Sequence, residues 1–193
     1  LAHLVRAIGD VPGLNWLRLF YLYPERLTEE MIELIANHPR VLPYVDMPLQ
    51  HASERMLKIM RRGHGPDRQK RIVERMRSEI PNLTFRTAFI VGHPGETDAD
   101  FQELCDFVKW AQFERVGVFK YSHEEGTRSG GLEELVAEKT IAARQPNGTE
   151  SFGQNASKSA LAIRPAAVPA KSPPIAPSTL LPGLIFGASL RRP

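Results

Sequence analysis

The chain has 193 residues, 42% of them hydrophobic and 24% charged, which suits one ordinary domain with a buried core. Its net charge of +3 comes from its end: residues 145–193 carry five basic groups against one acid, Glu150, whereas residues 1–144 carry 20 basic and 21 acidic groups. The basic balance is therefore no sign that the folded part binds nucleic acid, and no apolar run approaches the ~20 residues of a membrane span.

In chain order, "LAHLVRAIGDVPG" lacks the basic head and long apolar core of a signal peptide, and a chain opening on Leu1 reads as a fragment of a longer protein. "NWLRLFYLYP" (residues 15–24) is aromatic and apolar and ends on Pro24, which predicts a first strand. "LTEEMIELIANH" puts Leu27, Met31, Leu34 and Ile35 on one helical face, with Thr28 and Glu29–Glu30 suiting the first turn. "VLPYVDMPLQ" reads as a second strand. Ser53 is expected to cap "ERMLKIMRR", which closes at Gly63, and Asp67 to cap "RQKRIVERMRSEI". "LTFRTAFIVG" is the third strand, Thr97 opens the helix "DADFQELCDFVKWAQF", and "RVGVFKYS" is the fourth strand.

Strands alternating with helices predict an α/β fold with a parallel sheet, open or closed into a barrel. Ligands meet such sheets at the C-terminal ends of the strands. The four strand ends read "LYPER", "PLQHAS", "VGHPGE" and "KYSHEEGT", all polar or turn-rich, and together they make one rim. Beyond Gly148 the chain holds no aspartate and no periodicity and is rich in proline, so it cannot bury enough apolar surface to offset its ordering entropy. The expected organisation is residues 1–131 as a partial barrel, 132–144 as a helical linker and 145–193 as a disordered proline-rich tail. That tail reads either as a reading-frame accident or as a functional proline-rich arm.

In "FIVGHPGET", Gly92 and Gly95 allow positive φ or close backbone approach, Pro94 stiffens the turn, and Glu96 precedes a helix start. An ordinary βα turn reads the same way. In "YVDMPLQHAS", Tyr44, Asp46, Pro48 and Gln50 share a face by their period of two. Asp46 is then a buried acid, paired with a structural partner such as Arg86 or lining a site, and both readings stand. His51 is expected to be a loop histidine, since no second ligand lies at metal spacing, and no residue is assigned as catalytic or as a metal ligand. Cys105, the single cysteine, excludes a disulfide framework or a cysteine-built metal centre within this chain and reads as a buried helix thiol. The interval Arg55–Arg77 holds nine basic residues against Asp67 and Glu74, either a solvated face or a docking face for an acidic or RNA-rich surface.

With "LYPERLTEEMIELI", "YVDMPLQHASERMLKIMRRGH", "RTAFIVGHPGETDADFQELCDFV" and "RVGVFKYSHEEGTRS" in order, the chain resembles the radical S-adenosylmethionine methylthiotransferases over about residues 4–143. "PLQHAS" and "FKYSHEEGT" are similar to the branch that modifies an aspartate of a small-subunit ribosomal protein; the tRNA-directed branch is the alternative, as is a non-catalytic ribosome-docking module. The resemblance implies a TIM-like radical-SAM β/α barrel of which this chain supplies the last four β-α units. It implies a 4Fe–4S cluster that cleaves S-adenosylmethionine to a 5′-deoxyadenosyl radical, hydrogen abstraction from an unactivated carbon, and insertion of sulfur and methyl. It places Gln50 and Ser53 near the S-adenosylmethionine, brings the backbone of Ile90, Val91 and Gly92 to its adenine, and adds Arg86 and Glu96 at the same rim. The family's three cluster cysteines, spaced C-x-x-x-C-x-x-C, and its C-terminal β domain do not occur in this sequence. No cluster is therefore expected on this chain, which alone should be inactive. The implied setting is the cytoplasm, with a ribosomal protein or the ribosome as partner.

Overall fold

The computed structural model describes residues 1–145 and the two-residue strand Ser189–Leu190. The elements run α1 (Ala2–Gly9), β1 (Leu14–Trp16), α2 (Glu29–Asn37), β2 (Tyr44–Asp46), α3 (Glu54–Ile59), α4 (Pro66–Glu79), β3 (Thr84–Val91), α5 (Asp98–Ala111), β4 (Arg115–Lys120) and α6 (Glu138–Arg144), with β5 (Ser189–Leu190) paired antiparallel to β1. The tail otherwise lies outside the described residues, and so does its expected disorder.

The centre is a parallel sheet in the order β2-β3-β4, with Asp46 opposite Arg86 and Arg86 opposite Arg115. The first predicted strand is shorter than residues 15–24. A parallel bridge from Leu17 to Val41, a bond from the Leu22 amide to the Asp46 carbonyl at 2.8 Å, and contacts of Arg18 and Phe20 with the Tyr44 ring hold that segment beside β2. Tyr21, at φ 55, breaks the extended run before Pro24 does.

One face of the sheet is the core. Val45, Met47 and Leu49 from β2 and its extension, and Phe85, Phe89 and Val91 from β3, are buried beneath Ile32 and Ile35 of α2, Val73 and Met76 of α4, and Leu104 and Val108 of α5. Phe85, Phe89, Phe107 and Phe113 interlock at ring separations of 5.1–6.4 Å. The opposite face shows Arg86, Ile90, Arg115, Gly117 and Phe119 half-buried or exposed, a mixture of cationic and apolar groups.

Helix starts follow local chemistry, with two departures. Thr28 caps α2 by accepting from the Met31 amide, and Thr97 with Asp100 forms a capping box at α5. Ser53 stands at the cap position of α3 but turns its hydroxyl elsewhere. Asp67 does not cap α4: Gly65 occupies that position and Pro66 opens the helix, leaving Asp67 as a first-turn acid. α1 carries no strong sequence signal, yet Ala2 and Val5 are buried in the core.

Candidate functional site: the rim at the strand ends

The tip of β2 is built by replacing hydrogen bonds that Pro48 removes. Pro48 has no N–H to give to β3. The buried Thr87 hydroxyl takes its place, donating to the Met47 carbonyl at 2.9 Å and accepting from the Leu49 amide at 3.4 Å. Regular pairing resumes one residue out of step: Gln50 bridges to Phe89, where continuation of the Asp46–Arg86 register would have met Ile90. Gln50 adopts φ 73, a left-handed backbone that costs a residue with a β-carbon about 1 kcal/mol. Two main-chain bonds hold it there, its amide to the Ala88 carbonyl and the Ile90 amide to its own carbonyl, both 2.9 Å. From α4, the buried Gln69 amide donates to the carbonyls of Leu49, at 3.2 Å, and His51, at 3.0 Å.

The turn after β3 is organised by Glu96, whose side chain is wholly buried. One carboxylate oxygen faces His51 Nε2 at 3.1 Å. The other accepts from the Gly92 amide at 2.6 Å and from Arg144 Nη1 at 2.7 Å. Because His51 Nδ1 accepts from the Ser53 amide at 2.9 Å, the ring proton sits on Nε2 and is donated to Glu96. His51 stands in a loop, as expected, and is in addition a buried tie between two strand ends. Arg144 also donates to Asp98 at 2.5 Å and lies 5.3 Å from the Phe101 ring centre, fastening α6 across the rim.

A second knot lies beside the first. Ser53 Oγ donates to Asp100 Oδ1 at 2.6 Å, and Arg55 binds the same carboxylate and the Gly95 carbonyl. Burial pushes the Asp100 pKa up, but hydrogen bonds from Arg55, Ser53 and Thr97 outweigh it and hold the carboxyl well below the usual carboxylate range. His93 closes the turn: its ring nitrogens meet the Pro94 carbonyl at 2.9 Å and Ser129 Oγ at 3.0 Å, and burial lowers its pKa.

The residues singled out from the sequence fall into two groups. Gln50 and Ile90 keep half-buried side chains at the strand ends, and among the described residues no side-chain hydrogen bond occupies Gln50. The others are engaged. Val91 is fully buried on the core side, with its carbonyl taken by the Tyr121 amide at 2.9 Å. Gly92, at φ 77, has its N–H on Glu96, and a β-carbon there would meet Ile141 at 2.5 Å, so the freedom of this glycine serves the packing of α6. Arg86 lies deeper, donating to Asp46 Oδ2 at 2.7 Å, as the pairing reading of Asp46 expected. Burial raises the Asp46 pKa, and Arg86 opposes that shift.

His51, Gln69, Asp100 and Arg144 belong to the site although the sequence did not single them out as its members; their long-range partners are invisible to periodicity. Tyr121 had a faint signal, a phenol ending the fourth strand. Its hydroxyl is buried without a partner among the described residues, and its ring lies 5.0 Å from that of His93. An orphaned phenol and an unengaged amide suit a polar organic ligand such as the adenosyl part of S-adenosylmethionine. An iron–sulfur cluster does not fit the residues present. Cys105 is the single cysteine, it is buried in α5, and burial raises its thiol pKa, whereas cluster ligation takes several thiolates.

Along Arg55–Arg77, four basic groups are paired: Arg55 with Asp100, Lys58 with Glu54, Arg75 with Glu29 and Glu79, and Arg77 with Glu114. Arg61, Arg68 and Arg71 are exposed, and Lys70 stands 6.0 Å from the ring centre of the exposed Trp110. Among the described residues no helix is long and apolar enough to cross a membrane.

Repeated β-α units, a parallel sheet and a rim knotted together at the strand C-terminal ends define an α/β domain of the repeated β-α class. The family model of the Radical SAM superfamily matches residues 2–108, more than half of the chain, and the chain belongs to that superfamily. It is 65% identical over 144 residues to the ribosomal protein uS12 methylthiotransferase RimO of Sorangium cellulosum, and 46% identical over 144 residues to that of Symbiobacterium thermophilum. Each match covers 75% of this chain and 30% of the relative, so the chain spans about a third of the length of these proteins. Among solved structures it is similar to the radical S-adenosylmethionine methyltransferase TsrM of Kitasatospora setae, a structure with cobalamin and a [4Fe-4S] cluster bound. The TM-score is 0.54 at 22% identity, covering 77% of this chain and 29% of that one, which supports the fold.

Proposed function

We propose that this chain is a segment of a radical-SAM methylthiotransferase that adds a methylthio group to an aspartate of ribosomal protein uS12. The observation that carries the reading is the 65% identity over 144 residues to a uS12 methylthiotransferase. In this reading the sheet is one part of a β/α barrel, and the remaining two thirds of the protein supply the cluster cysteines.

S-adenosylmethionine, bound together with a cluster, supplies the one-electron chemistry needed at an unactivated carbon. This chain's own residues hold and orient it. The Gln50 amide and the Tyr121 hydroxyl are polar groups that, among the described residues, have no side-chain hydrogen-bond partner and are left to meet it, and Ile90 offers apolar contact. Ser53, Val91, Gly92 and Glu96 act one step behind, fixing the backbone that the cofactor meets. Arg86 supports β2 through Asp46. The basic groups at Arg61, Arg68, Lys70 and Arg71, which have no ion-pair partner among the described residues, face the RNA-rich surface on which a ribosomal protein is presented, with Trp110 beside Lys70.

The coding DNA on either side of this segment tests the assignment. Three upstream cysteines at the spacing C-x-x-x-C-x-x-C are expected; an in-frame start codon at Leu1 with no such cysteines would leave a docking module without chemistry.

A further inference from the structure

The sheet face opposite the core carries more positive charge than its acids answer. Register places Asp46, Arg86 and Arg115 in one row across β2, β3 and β4, several residues below the rim. Beside the row, the Arg18 guanidinium lies 4.6 Å from the ring centre of Tyr44 and 5.4 Å from that of Trp16. Asp46 is the acid of this group, and it is committed to Arg86. Among the described residues Arg18 and Arg115 have no ion-pair partner, and Arg18 Nε is buried without any acceptor. Asp46 Oδ1 is likewise buried and lacks a donor. The Tyr44 phenol registers the whole group: burial and Asp46 raise its pKa, while Arg86, Arg18 and Arg115 lower it.

We propose that Arg18, Arg86 and Arg115 form a carboxylate-binding site on this face, with Tyr44 as its floor. Half-buried guanidinium groups are costly unless paired, and their planar forks match a carboxylate. The free oxygen of Asp46 adds a second requirement, a donor next to the bound anion. A carboxylate beside an N–H, as in an acylated amino acid or a peptide, meets both. Phosphate brings acceptors and a further negative charge against Asp46. The site goes beyond the methylthiotransferase reading and does not rest on it. Its carboxylate has two sources, a ligand or an acidic side chain of polypeptide that covers this face in the longer protein.

Arginine labelling with phenylglyoxal, read residue by residue by mass spectrometry, tests the proposal on the chain as it stands. N-acetylglycine should slow labelling of Arg18 and Arg115 about tenfold and saturably, while Arg68 and Arg71 are unaffected. Arg115→Gln should make Arg18 insensitive to the additive. Equal protection by the neutral N-acetylglycinamide, equal protection of Arg68 and Arg71, or stronger protection by inorganic phosphate would overturn the assignment. The same labelling of the full-length protein separates the sources. Arg18 and Arg115 that resist labelling without additive indicate a polypeptide acid, and labelling that N-acetylglycine suppresses indicates a ligand. Free labelling that N-acetylglycine does not alter, in both proteins, would remove the site.

Discussion

The buried Glu96 carboxylate and the His51 ring meet at 3.1 Å, joining the tip of β2 to the turn that follows β3. The same carboxylate holds the Gly92 amide and Arg144, so one acid sets the spacing of two strand ends and the helix above them. Glu96→Gln should therefore be costly despite its near-identical shape. It removes the charge that Arg144 answers, and its amide donors face donors already in place. A loss of about 3 kcal/mol is expected in urea unfolding, with a smaller loss for His51→Gln. A change within experimental error for Glu96→Gln would mean that the knot does not form.

Asp100 gives the chain an acid-sensitive latch. Its pKa is depressed in the folded state, so its contribution is complete above the ordinary aspartate value near ~3.9 and is lost as pH falls through the folded value. Asp100→Asn should flatten the dependence of stability on pH below about pH 4 and weaken the fold at neutral pH. Ser53→Ala should cost about 1 kcal/mol through the lost bond to Asp100, since its hydroxyl does not cap α3. Parallel acid limbs for the wild type and Asp100→Asn would contradict this.

Gln50 is held in a conformation that favours glycine. Gln50→Gly should stabilise the isolated chain by about 1 kcal/mol in urea unfolding. In the full-length protein the same change should weaken S-adenosylmethionine binding, because it removes the free amide at the rim. Stabilisation without loss of binding would take Gln50 out of the cofactor wall.

Gly92→Ala meets two obstacles, a positive φ and the side chain of Ile141. The substitution should cost more than about 2 kcal/mol, and Ile141→Ala should recover the steric part but not the backbone part. Full additivity in the double-mutant cycle would show that α6 does not pack on Gly92.

Much of this arrangement could be read from the residues. Apolar strands alternating with amphipathic helices announced the parallel sheet, and the polar strand ends located the rim. The pairing of Asp46 with Arg86 was foreseeable because a buried acid needs a partner. What escaped was non-local. His51 and Glu96 lie 45 residues apart, and Ser53 and Asp100 lie 47 apart. Nothing in the spacing of either pair marks it. The slip at Pro48 also escaped, because the Thr87 hydroxyl that substitutes for the missing N–H lies on a different strand. Gly92 takes the positive φ its sequence context suggested, but the packing of Ile141 against it was not legible.

The central claim concerns a reaction of the whole protein, and mass spectrometry of uS12 tests it most directly. The full-length protein, with its clusters reconstituted anaerobically and supplied with S-adenosylmethionine, a reductant and sulfide, should convert one uS12 aspartate to its methylthio derivative. Unmodified uS12, alongside methylthiolated tRNA in a parallel incubation, would contradict the account and place this chain in the tRNA-directed branch.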